Sequence, residues 1–229
     1  MIRLEDWHRI DYRTAWERQT ALFNEAIRLK QNGAAHDDIV VMCEHEPVIT
    51  LGRNGNIKNL LLDTASLAMK GVEYFHTDRG GDITFHGPGQ LVVYPIIDLQ
   101  HYGIGLKEYV SRLEQSVITL LSEYAIAGSH VDGASGVWLD AGGQRERKIC
   151  AVGIRASHHV TMHGIGLNVN TDLNYFKLIN PCGFVSKGVT SMQAELGEYV
   201  DLEKVKARYY EIIVDFLEDG KQRTKDWHD

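Results

Sequence analysis

GVWLDAGGQRERKICAVGIRASHHVTMHGIGLNVN, residues 136–170, contains three strand-like runs separated by Ala141-Gly142-Gly143-Gln144 and by Ser157-His158-His159. Short β-type runs joined by turn residues spell an antiparallel meander, not strands alternating with crossover helices. Outside this stretch the helical signals come in separated blocks. Thr14 and Glu17 have capping-box spacing, and Trp16, Gln19, Phe23, Ala26, Ile27 and Lys30 follow at helical period until Gly33. Leu106, Tyr109, Val110, Leu113, Val117, Leu120, Leu121 and Tyr124 mark a second helix, and Leu202 to Leu217 a third. Ile39 to Glu44 reads as a buried strand, and Pro47 interrupts the pairing before Val48-Ile49-Thr50-Leu51. Clustered strands with separated helices predict an α+β fold, with a mixed, largely antiparallel sheet flanked by helices.

The chain has 229 residues, 44% of them hydrophobic and only 4 of them Pro, which suits one domain spanning residues 1–229 with a sizeable core. A net charge of -7 argues against general nucleic-acid binding but leaves room for a local basic patch that docks an acidic partner. No apolar run approaches the roughly 20 residues that cross a bilayer, and Met1-Ile2-Arg3-Leu4-Glu5-Asp6 lacks the apolar stretch of a secretory signal. A cytoplasmic protein with no membrane partner is expected. Cys43, Cys150 and Cys182 cannot all pair within one chain, which fits a reducing compartment.

Four stretches carry candidate chemistry. Arg79-Gly80-Gly81-Asp82-Ile83-Thr84-Phe85-His86-Gly87-Pro88-Gly89-Gln90 sets one Arg and one His among four glycines. It matches neither nucleotide-loop fingerprint, so it is either a close-approach ligand loop or a glycine-rich hairpin turn. In Arg147 to Gly153, alternation sets Lys148, Cys150, Val152 and Ile154 on one face and Ile149, Ala151, Gly153 and Arg155 on the other. Lys148 is then either a snorkelling edge residue or a cation serving a thiol. His163-Gly164-Ile165-Gly166-Leu167-Asn168-Val169-Asn170 places glycines where strand side chains would fill space, marking a bulge or a narrow slot shared with Gly153. Asn180-Pro181-Cys182-Gly183 presents a second thiol in a turn. A Cys activated by an amine suits covalent acyl chemistry, because a free thiol near pKa 8.5 is only a few per cent thiolate at pH 7. Periodicity does not choose between Cys150 and Cys182. Among eleven His there is no HExxH and there is no paired CxxC, so no zinc site and no other metal site is expected.

Taken in order, Arg79 to Gln90, Lys148 to Gly153, His163 to Asn170 and Asn180 to Gly183 resemble the LipB family, the octanoyl-acyl-carrier-protein:protein N-octanoyltransferases, also called lipoate-protein ligase B. Glu44 to Arg53 resembles the family's early strand pair, so residues 5 to 215 are covered. The resemblance implies the fold of the biotin and lipoate ligase catalytic domains, Cys182 as acyl-thioester nucleophile and Lys148 as the residue that lowers its pKa. It also implies substrate-binding segments at Arg79, Gly80, Gly81, Asp82, Ile83, Thr84, Phe85 and His86, at Ala151, Val152 and Gly153, and at Gly164, Ile165 and Gly166. Ala151 stands where some members carry Ser. No cofactor is implied. The implied donor is octanoyl-acyl carrier protein; the implied acceptors are the lipoyl domains of 2-oxoacid dehydrogenase complexes and the glycine cleavage H protein. Arg145, Arg147, Arg155 and Lys177 are candidates for docking them. An ATP-dependent lipoate or biotin-type ligase and a non-catalytic lipoyl-domain binding protein are the alternatives.

Overall fold

The computed structural model describes residues 2–180 and 188–225. Strands β1 (Ile2–Ile10) and β2 (Asp38–His45) flank helix α1 (Tyr12–Gln31), and β3 (Val48–Leu51), α2 (Thr64–Met69), β4 (Glu73–His76) and β5 (Ile83–His86) follow. Then come β6 (Gln90–Ile96), α3 (Leu106–Glu123), β7 (Val137–Leu139), β8 (Arg147–Ser157), β9 (Val160–Asn168), β10 (Gly188–Val189), α4 (Met192–Leu196) and α5 (Leu202–Lys225). The large sheet runs β1-β2-β6-β9-β8-β10, with β7 also paired to β8, and a small sheet runs β4-β3-β5. Pairings β2–β6, β6–β9, β8–β9 and β7–β8 are antiparallel, whereas β1–β2 and β8–β10 are parallel. The predicted α+β class and the meander are therefore both found.

The central strands read as unbroken apolar runs because both of their faces are covered. Val40 and Met42 of β2, Leu91 and Val93 of β6, and Ile165 and Leu167 of β9 point into a core shared with α3 and α5. Ile39, Val41 and Cys43, with Val92, Tyr94 and Ile96, and with Val160 and Met162, point the other way onto Phe23 and Ala26 of α1. A third cluster, built on Ile49, Leu51, Leu67, Ile83 and Phe85, holds the small sheet together. Among the described residues, no helix is long and apolar enough to cross a membrane.

Two local expectations are corrected. The cap of α1 is Asp11, whose carboxylate accepts from the Thr14 amide at 2.9 Å, so Thr14 lies inside the helix and makes no capping box with Glu17. Strict alternation in β8 fails at Ile149. Val137 pairs with Cys150 and Trp138 with Lys148, so Ile149 is the extra residue of a bulge and joins Cys150 in the α3/α5 core.

Candidate active site

Backbones crowd together where side chains are missing, and that crowding shapes the site. The Gly80 amide donates to the Ile154 carbonyl at 3.0 Å, so the Arg79-Gly80-Gly81 loop lies directly on β8. A Cβ on Gly153 would sit 2.8 Å from the Gly80 carbonyl oxygen, and one on Gly52 would sit 2.3 Å from that of Gly81. Only glycine permits this approach. Arg79 is the bolt. Its buried guanidinium donates to the Thr50 carbonyl at 2.7 Å, to Thr50 Oγ1 at 2.9 Å and to the Gly80 carbonyl at 3.0 Å, joining the small sheet to the loop. A lysine ammonium lacks the planar fork needed to serve both carbonyls at once. Arg79→Lys should lower stability by about 2 kcal/mol in chemical denaturation. A loss under about 0.5 kcal/mol would show that the fork is dispensable.

Between these elements lies a cavity of about 610 Å³ with a largely apolar lining. Of the residues singled out in the sequence, Arg79, Gly80, Gly81, Asp82, Ile83, Thr84, His86, Lys148, Ala151, Val152, Gly153, Gly164, Ile165 and Gly166 all line it. Phe85 does not. It turns into the small-sheet core, where its ring stacks on Tyr175 with centroids 4.6 Å apart. Cys182 lies outside the described residues. The wall also includes Tyr12, Tyr94, Trp138, Gln90 and Asn168, which the reading of motifs did not single out. Trp138 was open to detection, since the meander sets it opposite Lys148.

Lys148 is paired on both edges, with Trp138 of β7 and with Val189 of β10. Its ammonium donates to the Ser135 carbonyl at 3.0 Å and stands 4.4 Å from the centroid of the Trp138 ring. Both contacts favour a held, charged amine at the cavity wall. The two described thiols are different. Cys43 and Cys150 are buried, and loss of hydration pushes both thiols well above the usual range. Lys148 acts on Cys150 in the opposite direction, but burial is the larger effect.

Deeper in the wall, His86 bonds through Nδ1 to Gln90 Oε1 at 2.7 Å, while Gln90 Nε2 donates to the Phe85 carbonyl and to Asn168 Oδ1. The Gln90 oxygen must therefore accept, so His86 Nδ1 is the donor and Nε2 carries the lone pair. Burial, reinforced by His45 and Arg79, pushes His86 down to about 3, so the ring is neutral at pH 7. His163 Nε2 meets Asp78 Oδ1 at 2.7 Å, and Arg155 closes on the other carboxylate oxygen. Burial depresses the His163 pKa against the pull of Asp78, and His163 itself lowers that of Asp78. These histidines are hydrogen-bonded walls. An acyl group could lie in the cavity with the Lys148 amine at its edge.

Residues 11–213 match the lipoyl protein ligase A/B catalytic domain. The chain is 52% identical over 203 residues to an octanoyltransferase from Bacteroides fragilis, spanning 89% of this chain and 92% of that one. Among solved structures, a bi-partite lipoate protein ligase from Thermoplasma acidophilum superposes with a TM-score of 0.69 at 14% identity, covering 94% of this chain and 83% of the other. The biotin protein ligase of Aquifex aeolicus, in complex with biotin and ATP, gives 0.55 at 16% identity over 96% and 72%. Both structural likenesses are likenesses of fold.

Proposed function

The chain belongs to the LipB family of octanoyltransferases within the lipoyl protein ligase A/B catalytic domains, and from that premise we propose octanoyl transfer from octanoyl-acyl carrier protein to a lysine of a lipoyl domain through a thioester on Cys182. It is an acyltransferase of lipoate biosynthesis. The observation that carries the finer reading is that both described thiols, Cys43 and Cys150, are buried and line no part of the cavity, whereas Lys148 lines it. Their burial supports Cys182, the position that the family resemblance gives as the nucleophile.

In the first half-reaction the Cys182 thiolate attacks the thioester carbonyl, forming a new C–S bond. The bond to the carrier's phosphopantetheine sulfur breaks, and that sulfur leaves with a proton supplied by the Lys148 ammonium. In the second, the ε-amine of the acceptor lysine attacks the S-octanoyl enzyme, the Cys182 sulfur departs and an amide forms. The neutral Lys148 amine takes the proton that the attacking nitrogen sheds. One thioester is exchanged for one amide, so ATP is not consumed. The six methylenes of an octanoyl tail, at about 0.8 kcal/mol each, offer about 5 kcal/mol of burial before ordering costs. Acceptors are the lipoyl domains of 2-oxoacid dehydrogenase complexes and the glycine cleavage H protein.

Intact-protein mass spectrometry of the chain mixed with octanoyl-acyl carrier protein, without ATP, tests this reading. One octanoyl adduct is expected, removable by hydroxylamine and mapped by digestion to Cys182. An adduct on Cys150, or none until ATP and free octanoate are added, would refute the thioester route.

A further inference from the structure

At the far end of β6 from Gln90, two chain segments converge on a cluster that lines no part of the cavity. His36 precedes β2, while Asp98 and His101 belong to the turn after β6. One ligand-capable atom from each lies within 4.8 Å of the others. Asp98 Oδ2 is 3.4 Å from His36 Nε2 and 3.9 Å from His101 Nε2. Tetrahedral ligands at about 2.0–2.1 Å from a metal stand about 3.3 Å from one another, so small side-chain shifts complete that geometry.

The hydrogen bonding around the cluster orients two of the three atoms, His101 Nε2 and Asp98 Oδ2, towards the common centre. His101 Nδ1 lies 2.9 Å from Asp38 Oδ2, and a carboxylate accepts, so Nδ1 is the donor and Nε2 is the atom turned towards the cluster. Tyr102 donates to the same Asp38 oxygen at 2.7 Å and fixes it. This carboxylate-to-histidine bond is the outer support that orients an imidazole for a metal. Asp98 Oδ1 takes the Lys30 ammonium at 2.6 Å and the Gln100 amide at 3.0 Å, leaving Oδ2 turned towards the imidazoles. The independent sign is His36. Its side chain is only 6% exposed, and among the described residues its buried Nε2 has no hydrogen-bond partner.

His36 Nε2, buried without a hydrogen-bond partner among the described residues, faces a second imidazole nitrogen and a carboxylate oxygen, a set of atoms that one cation can bridge. We propose that His36, Asp98 and His101 bind one divalent cation of the zinc class, with water completing the shell on the solvent side. Two imidazoles and a carboxylate suit zinc better than magnesium or calcium, which prefer all-oxygen shells. The role is structural. The ion clamps the segment entering β2 to the turn leaving β6, far from the acyl cavity. Motif reading misses the site because His36 and Asp98 are brought together only by the β2–β6 pairing.

The test uses the full chain without an affinity tag, stripped by a chelator and titrated with Zn²⁺ against a chromophoric competitor. One equivalent should bind, and Co²⁺ in its place should give d–d bands without thiolate charge transfer. His101→Gln, on a partly exposed ring, should weaken binding by at least about tenfold; His36→Gln should repeat the loss from the other segment. At a hundredfold excess over the wild-type Kd, Zn²⁺ should raise the wild-type Tm by about 5 °C and that of His101→Gln by no more than about half as much. The proposal is overturned by folded wild type that binds no stoichiometric metal, by variants that bind as wild type does, or by a thiolate band placing the ion on cysteine.

Discussion

Lys148→Met lowers octanoyl transfer by about 10²- to 10⁴-fold, the range that a positioned acid or base supplies. Methionine keeps the apolar stem against Trp138, so the fold and the wall of the cavity should survive. Two things are lost together: a positive charge that favours thiolate and a group that moves protons. Lys148→Arg separates them, because a guanidinium keeps the charge but does not give up its proton in proteins. Arginine should therefore rescue thioester formation partially and final amide formation hardly at all. The pH dependence has a definite sign. A thiol left to itself ionises near 8.5, so the acylation rate of Lys148→Met should climb about fiftyfold in all from about pH 6.5 to 8.5. On the proposed mechanism the wild-type rate should be flatter over that window, because the Lys148 ammonium would already favour the thiolate. Rapid-quench mass spectrometry of both half-reactions reads all of this. If Lys148→Met acylates within twofold of wild type at pH 7, Lys148 is a wall residue held by Ser135 and Trp138, and the proposed proton route fails.

The same residue marks where motif reading stops. Alternation along β8 makes Cys150 a neighbour of Lys148 on one face, and nothing in periodicity disfavours that thiol. The bulge at Ile149 sends Ile149 and Cys150 into one apolar core, and a bulge depends on how β7 pairs with β8. The meander, the long helices α3 and α5, and the lining role of the glycine-rich loop were legible because each rests on local pattern. Phe85 of that loop lines no part of the cavity because its ring is stacked in the small-sheet core on Tyr175, a partner far along the chain. The parallel edge strands β1 and β10 were not legible. β1 carries Arg3, Glu5, Asp6, His8 and Arg9 in place of an apolar face, as edge strands do to discourage further pairing. β10 is two residues long and has meaning only beside Arg147 and Lys148. The glycines of β9 were legible as close approaches, but the sequence does not say whether a ligand or another backbone makes the approach.

Gly164 and Gly166 separate those two meanings, and the larger stability loss is expected at Gly164. In the register of β9, Ile165 pairs with Val93 on one side, and Gly164 faces Gly153 on the other. A Cβ on Gly164 would lie 1.9 Å from the Val93 carbonyl oxygen and 2.8 Å from Pro95 Cδ, both belonging to the β6 backbone or its ring. Neither can step aside, because β6 is buried on both faces between the α1 core and the α3/α5 core. Gly164→Ala must therefore push the central strands β6 and β9 apart, costing about 4 kcal/mol, beyond the usual range for overpacking. For a chain of this size, that lowers Tm by roughly 8–16 °C. At Gly166 the added methyl would meet Gln90 Oε1 at 3.0 Å and His86 Nδ1 at 3.3 Å, which are side-chain ends facing the cavity. Those can shift by a few tenths of an ångström, so Gly166→Ala should cost about 1 kcal/mol and show itself as tighter chain-length selection. Gly105→Ser is the control, with open space around its Cβ and a φ of -89° that suits a helix cap. Differential scanning calorimetry of the three variants gives the ranking. If Gly164→Ala melts within about 2 °C of wild type, β6 and β9 can separate at little cost, and the glycines of β9 would then serve the ligand alone.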